Sequence, residues 1–218
     1  MNNEQDTSRI SVYGVGYLKI KPNMILIKLY ISNISKTLNE AQAEVNKNAS
    51  TLLKITEELK IENVTTNIMN FSPAYEWDNH KKIFVGQEVR QGFVITINDI
   101  NINLQKAKDL LDRVTADIKS LDCNVTLCID NFEEKITEAR NTAYNNALEK
   151  AKQYAKLANL EIIKTIKVSE FEPRDADCYP ERYNNMICGS DADPTEIPVG
   201  DINIEAKLYC DFLAKEIK

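Results

Sequence analysis

Residues 134–159 read EKITEARNTAYNNALEKAKQYAKLAN and form the longest helical pattern in the chain. Five alanines recur in this stretch at a spacing of four, which places residues on one side of an α-helix: Ala139, Ala143, Ala147, Ala151 and Ala155. Because four residues exceed one helical turn by about 40°, the alanines form a broad face with little side-chain bulk. We therefore predict a long helix that lies close against a β-sheet.

Both ends of this helix are marked in the sequence. Asp130 and Asn131 each have an acidic residue three positions further on, Glu133 and Glu134, which is the spacing of a capping box. Asn159 follows the last alanine-rich turn, and asparagine tolerates the left-handed conformation that ends many helices. The helix is therefore expected to end at Asn159.

The helix and its flanking strands resemble the SIMPL family, a group that includes bacterial periplasmic immunogenic proteins and proteins linked to defence against oxidative stress. The family's helix has a Glu-Ala start, alanines at a spacing of four, a Lys-Ala pair and a short strand after it, which here are Glu138-Ala139, Ala143, Ala147, Lys150-Ala151, Ala155 and residues 162–170. The family's opening Ile-x-Val-x-Gly-x-Gly is similar to Ile10, Val12, Gly14 and Gly16. Its closing Pro-Gly-x-Ile-x-Ile-x-Ala is similar to residues 198–206, with Val199 inserted after the proline.

The resemblance covers residues 9–213 and departs from the family at Asn159, where a glycine is common. It supplies no catalytic motif that could be carried over to this chain. It does imply a link to stress defence, and some members of the family form ring or channel-like oligomers. Members are also often exported from the cytoplasm.

Size and charge limit the classes of partner. The chain has 218 residues, enough for one large domain or two small ones. Its 27 basic and 33 acidic residues give a net charge of −6 without a basic stripe, which argues against nucleic acid or an anionic membrane surface as the main partner. No segment approaches the roughly 20 apolar residues of a membrane-spanning helix, so we predict no membrane insertion.

The first eight residues are polar and contain no apolar run. We expect residues 1–8 to be disordered. Because the chain as given shows no signal peptide, we also expect a cytoplasmic location, in contrast to the exported members of the family.

The five cysteines give an odd count with no Cys-x-x-Cys pair. Three lie in alternating apolar runs, where cysteine usually packs as a small buried hydrophobe: Cys123, Cys128 and Cys210. Cys178 and Cys188 lie in a polar segment and are expected to be accessible. We therefore predict no metal site and no cofactor.

The remaining patterns predict an α+β fold, with a mixed, mostly antiparallel sheet and about three helices. A capping box of Thr37 and Glu40 opens a helix to about Leu59, and Asp99 or Asn101 caps another helix over 102–119. Apolar runs predict strands over 9–20, 24–34, 64–77, 83–97, 123–129, 162–170 and 202–212. Residues 24–34 are rich in Ile and Leu, which indicates a central strand covered on both faces.

Gly14 and Gly16 interrupt the first of these strands. No helix follows them, and their spacing is not the Gly-x-Gly-x-x-Gly of a nucleotide-binding loop. They predict a bulge or a close approach of another backbone.

Two parts of the chain resemble each other at an offset of 98–100 residues. Glu40-Ala41, Asn48-Ala49 and Phe71-x-Pro73 recur as Glu138-Ala139, Asn146-Ala147 and Phe171-x-Pro173. We therefore predict one domain over 9–213, built from two similar strand–helix–strand–strand units at about 24–98 and 122–213. The polar, proline-containing residues 172–198 are expected to form a flexible loop, and residues 214–218 a C-terminal tail.

No pattern in the sequence assembles catalytic groups, and we predict no catalytic, cofactor-binding or metal-binding residue. His80, the only histidine, lies at a predicted hairpin tip without acidic or cysteine partners. The sequence favours a non-enzymatic protein that associates with itself, as a homo-oligomer, or with an unknown protein partner. Its candidate contacts are the strand edges of the 64–97 hairpin and of residues 202–212. The alternative is a thiol-dependent redox protein that uses Cys178 or Cys188.

Overall fold

The computed structural model describes residues 7–78, 81–170 and 196–217. Its elements in chain order are β1 (Thr7–Ile20), β2 (Met24–Ser35), α1 (Leu38–Glu58), β3 (Val64–Asp78), β4 (Lys81–Asn98), α2 (Ile100–Asp117), β5 (Leu121–Cys128), α3 (Phe132–Leu157), β6 (Leu160–Glu170) and β7 (Ile202–Glu216). In these residues the strands pair only antiparallel and form two sheets, ordered β1-β7-β6 and β3-β4-β2-β5. The α+β class is therefore confirmed.

The chain divides into two compact units. One, the alanine-helix unit, consists of Met1–Lys21, Asp130–Arg182 and Asp201–Lys218. The other, the hairpin unit, consists of Pro22–Ile129 and Tyr183–Gly200. The first sheet and α3 belong to the alanine-helix unit, and the second sheet with α1 and α2 belongs to the hairpin unit.

In the alanine-helix unit, α3 lies unusually close to β1. The five alanines at a spacing of four, which we call the alanine ladder, are all buried. A Cβ atom added to Gly14 would lie 1.9 Å from the Ala143 carbonyl oxygen, and one added to Gly16 would lie 2.0 Å from the Ala139 carbonyl oxygen. Only glycine leaves room for the helix backbone there. The predicted close backbone approach at the paired glycines is thus confirmed.

The sequence predicted the C-terminal end of α3 correctly and the cap at its N-terminal end wrongly. Asn159 has a φ of 57°, the left-handed conformation expected of it. At the other end the capping box predicted for Asn131 is wrong, because the Asn131 side chain makes no cap bond and its amide instead donates to Glu134 Oε2 at 3.2 Å.

The hairpin unit has a conventional core of large aliphatic side chains. Its helix α1 begins with the predicted capping box, in which Thr37 Oγ1 accepts from the Glu40 amide and Glu40 Oε2 accepts from the Thr37 amide, both at 3.3 Å. Fully buried residues from α1, α2, β2 and β4 meet in this core, among them Val45, Leu52, Leu110, Leu111, Ile27, Leu29 and Ile95.

The final strand is not an edge. Strand β7 pairs with β1 from Ile202 to Lys215 on one side and with β6 on the other. The prediction that residues 202–212 expose a strand edge is therefore wrong, because the N-terminal strand β1 closes that side.

Most of the predicted loop, together with Cys178 and Cys188, lies outside the described residues. Ile197, near the end of that predicted loop, is only 6% exposed and belongs to the core of the hairpin unit. The loop therefore contributes at least one core side chain.

Candidate interaction surface

Strand β3 lies at the edge of its sheet and carries apolar side chains at five alternate positions. Successive side chains of a strand point to opposite faces, so these five share one face: Met69, Phe71, Pro73, Tyr75 and Trp77. All five are exposed, Trp77 by 73%. We call these residues, together with Phe84 of β4, the hairpin face.

The hairpin face continues the side of the sheet that the helices cover. Phe71 is the direct cross-strand partner of Val89, which is completely buried in the core of the hairpin unit. Partners across a strand pair share a face. Further along β4 from Val89 toward the turn, Phe84 is the cross-strand partner of Tyr75 and is 52% exposed. The ribbon of β3 and β4 therefore extends its apolar face beyond the covered core.

Local contacts order the outer part of this face. The rings of Tyr75 and Phe84 pack edge to face with centroids 5.7 Å apart, and Lys82 Nζ lies 4.1 Å from the centre of the Tyr75 ring. A bulge beside Ala74 leaves Val85 without a cross-strand partner. Because a bulge increases the local twist of a ribbon, we expect the aromatic end of the hairpin to be turned relative to the rest of the sheet.

Among the described residues no strand pairs with the outer edge of β3, and this edge is poorly suited to pairing with another strand. Pro73 has no backbone N–H to donate, and the register of β3 shifts beside Ile68 and beside Tyr75. Proline and bulges are devices that keep edge strands from pairing. The apolar side chains of the hairpin face, rather than its backbone edge, are thus the accessible feature.

One polar cluster is buried in the alanine-helix unit. Asp211 is 3% exposed, accepts from Ser11 Oγ at 2.6 Å, and has Arg9 Nη1 at 3.5 Å from its other oxygen. A buried carboxylate is tolerated when it is hydrogen-bonded and paired in this way. We assign this cluster a role in joining β1 to β7.

The cysteines follow the predicted division as far as the structure describes them. Cys128 and Cys210 are buried, as predicted, whereas Cys123 is only partly buried. Burial and the negative charge of Asp211 raise the pKa of the Cys210 thiol. A raised pKa lowers the fraction of reactive thiolate. Within residues 7–78, 81–170 and 196–217 no three His, Cys, Asp or Glu side chains are grouped so that they could hold a metal ion.

The fold and this surface define a class: an α+β protein of two antiparallel sheets with an exposed apolar hairpin. The chain belongs to the SIMPL family, whose model is described as "Protein of unknown function (DUF541)" and matches residues 10–212. This confirms the resemblance seen in the sequence. In the part of the chain that the structure describes, no helix combines the length and hydrophobicity needed to cross a membrane.

Two curated relatives carry the name "26 kDa periplasmic immunogenic protein", one from Brucella melitensis biotype 1 and one from Brucella abortus strain S19. Each is 24% identical to this chain over 203 residues, which is 89% of this chain and 80% of the relative. These names refer to immunogenicity and location, and not to an enzymatic reaction. They support a periplasmic location for the relatives and give no support to the cytoplasmic location expected above.

Sequence reasoning found the hairpin but only part of its surface. Trp77 and Phe84, near the end of the predicted hairpin, are exposed, whereas Val85 is half-buried. The alternating pattern of β3 was visible in the sequence, but a pattern alone does not tell which apolar face stays uncovered. His80 lies outside the described residues.

Proposed function

We propose that this chain acts by protein association through the hairpin face, with a second copy of itself as the first partner to test, and without catalysis of its own. The observation that carries the proposal is the row of five exposed apolar residues on β3. Exposed apolar patches on folded domains commonly mark protein contacts, and aromatic residues are enriched in the energetic centres of such contacts.

The size of the hairpin face fits the centre of an interface. A buried aromatic side chain covers about 150–250 Å², and the four aromatic residues here are 45–73% exposed: Phe71, Tyr75, Trp77 and Phe84. Together they offer on the order of 400 Å² of further burial, against about 800 Å² that each partner contributes to a standard interface. A surrounding polar rim would supply the rest.

The contact that we propose lies on the face of the hairpin and not along the edge of a strand. Edge pairing was the expectation from the sequence, but Pro73 and the two register shifts of β3 work against it. Face-to-face packing of two hairpins needs no backbone hydrogen bonds. It would cover the hairpin face of both copies at once, as expected for a two-fold symmetric contact.

The compartment and the biological setting are also proposals. The names of the Brucella relatives suggest the periplasm for this chain, and the link to stress defence rests on family resemblance. Osmotic-shock fractionation of cells that express the full-length natural protein would decide between periplasm and cytoplasm.

The association is tested with a Phe71→Ser/Phe84→Ser variant, which keeps Trp77 as a probe. Trp77 is the only tryptophan, so its emission reports directly on the hairpin. We expect the parent to exceed its monomer mass of 24.8 kDa in light scattering, and its emission to shift to the blue as concentration rises. Loss of a hot-spot aromatic costs about 2 kcal/mol or more of binding free energy. The dissociation constant of the variant should therefore be at least about thirtyfold higher than that of the parent.

The matched control is Ile102→Ser. Ile102 is 81% exposed and lies on α2 of the same unit, outside the hairpin face. This variant should keep the mass and emission of the parent. A parent that is monomeric at micromolar concentration, or a double variant with the parental mass, would exclude self-association through the hairpin face.

A further inference from the structure

Three strands follow the same order in both sheets. In one sheet the third of these strands has a further strand on its outer side, and in the other sheet no described strand lies there. In the hairpin unit the order is β3-β4-β2, and β5 pairs with the outer side of β2. In the alanine-helix unit the corresponding order is β6-β7-β1, and no described strand pairs with the outer side of β1. The backbone groups on the outer edge of β1 therefore find their partners outside the sheet, in side chains or in water.

Two side chains of α3 supply those partners. The Val15 amide donates to Asn146 Oδ1 at 3.2 Å, and Lys150 Nζ donates to the Tyr13 carbonyl oxygen at 3.0 Å. Lys150 also lies 5.0 Å from the centre of the Tyr13 ring. Tyr13 and Val15 are two residues apart, so both direct their backbone groups away from β7 in an antiparallel pair.

The packing of the unit explains why these side chains reach the edge. Asn146 and Lys150 are four residues apart on α3, and each directly precedes a ladder alanine. Gly14 brings the helix backbone against β1. At that distance, side chains beside the alanine ladder extend past the strand to its outer edge.

We propose that Asn146 and Lys150 form an edge guard, which takes the place of a fourth strand beside β1 and keeps that edge closed to a strand of a second copy. The sequence repeat provides a comparison. Asn48 is the counterpart of Asn146, but it lies on α1, which packs on β2 and β4. There β5 already occupies the outer edge of β2, so no guard is needed.

The edge guard does not depend on the proposed function, because it concerns the other unit. It predicts which surface of this chain is unavailable for association. An unprotected edge strand of 14 residues would be a ready template for another chain.

Amide exchange tests the guard in the unmodified protein. The outward amide of Val15 has an acceptor, whereas no acceptor for the outward amides of Tyr13 and Tyr17 is found in the described part of the chain. We expect Val15 to exchange roughly tenfold more slowly than Tyr13 and Tyr17, as suits one additional hydrogen bond. Equal exchange at the three amides would overturn the proposal.

Substitution tests the consequence. In an Asn146→Leu/Lys150→Met variant both side chains keep similar bulk but lose their bonds to β1. We expect its mass in light scattering to at least double relative to the parent at equal concentration, with new exchange protection at Tyr13 and Tyr17. Asn146→Asp retains an acceptor for Val15 and should keep the parental mass.

The matched control is Asn145→Leu/Lys152→Met, which changes the same residue types at exposed positions of α3. It should associate no more than the parent. Association of the control to the same extent as the guard variant, or a guard variant with the parental mass, would overturn the proposal. If the guard variant does not fold, Asn146→Asp and the exchange of Val15 still decide the matter.

Discussion

The alanine-helix unit and the hairpin unit pack a helix on an antiparallel sheet with side chains of opposite size. In the first, glycines of β1 meet alanines of α3 at backbone distance. In the second, Val45 and Leu52 of α1 meet the isoleucines of β2 and β4. The first contact should be sensitive to added atoms and the second to deleted ones.

The largest effect is expected from a deletion in the hairpin unit. Leu52 is completely buried, so Leu52→Ala should lower the free energy of unfolding by about 2–5 kcal/mol through lost contacts and a cavity. The neighbouring Leu53 is 48% exposed. Leu53→Ala should therefore change the free energy of unfolding by about 0.5 kcal/mol or less. Urea titrations of both variants give the comparison. Equal losses would show that the core does not lie where we place it.

An addition in the alanine-helix unit should have the next largest effect. The Ala147 amide lies 2.7 Å from a Cβ built on Gly14, so Ala147→Leu should overpack the contact and cost about 1–3 kcal/mol. Ala43→Leu is the control, because Ala43 is exposed on α1. Thermal melts measure both. An Ala147→Leu protein that melts like the parent would contradict the close packing of α3.

The two helix starts offer a smaller contrast. Thr37 caps α1 with reciprocal bonds, whereas the Asn131 side chain makes no cap bond at α3. We expect Thr37→Ala to cost about 1 kcal/mol and Asn131→Ala clearly less. The midpoints of urea unfolding compare them, and a larger loss for Asn131→Ala would reverse our assignment of the caps.

The labelling rates of the cysteines compare the two units by a measurement that does not depend on a large change in stability. A thiol reagent should modify Cys178 and Cys188 first, Cys123 more slowly, and Cys128 and Cys210 last. Because the pKa of the Cys210 thiol is raised by burial and Asp211, its thiolate forms only at a higher pH than that of an ordinary thiol, and its labelling should rise correspondingly late as pH increases. Mass spectrometry of single-cysteine variants gives the five rates, and one common rate would rule this order out.

The elements that the sequence predicted well are those with local signals. The four-residue spacing of alanines located α3, Asn159 marked its end, and Thr37 with Glu40 marked the start of α1. These features depend on residues within one or two turns of each other. A single sequence is sufficient for them.

The sheet partners and the edge guard depend on distant residues and were not predictable in this way. The turn after Ile20 gives no sign that β1 and β2 belong to different sheets. The bond between Val15 and Asn146 joins residues 131 positions apart. Likewise, the alternation of β3 indicates an apolar face, but only the positions of α1 and α2 determine where that face becomes exposed.

The pairing of β1 with β7 has a consequence for synthesis of the chain. Thr7 pairs with Lys215, so the ribosome must make almost the whole chain before the first strand finds its partner, whereas most of the hairpin unit emerges as one continuous segment. At about 5–20 residues per second, β1 waits roughly 10–40 s for β7. We expect the hairpin unit to fold before the alanine-helix unit, and β1 to be the segment most open to chaperones while it waits for β7.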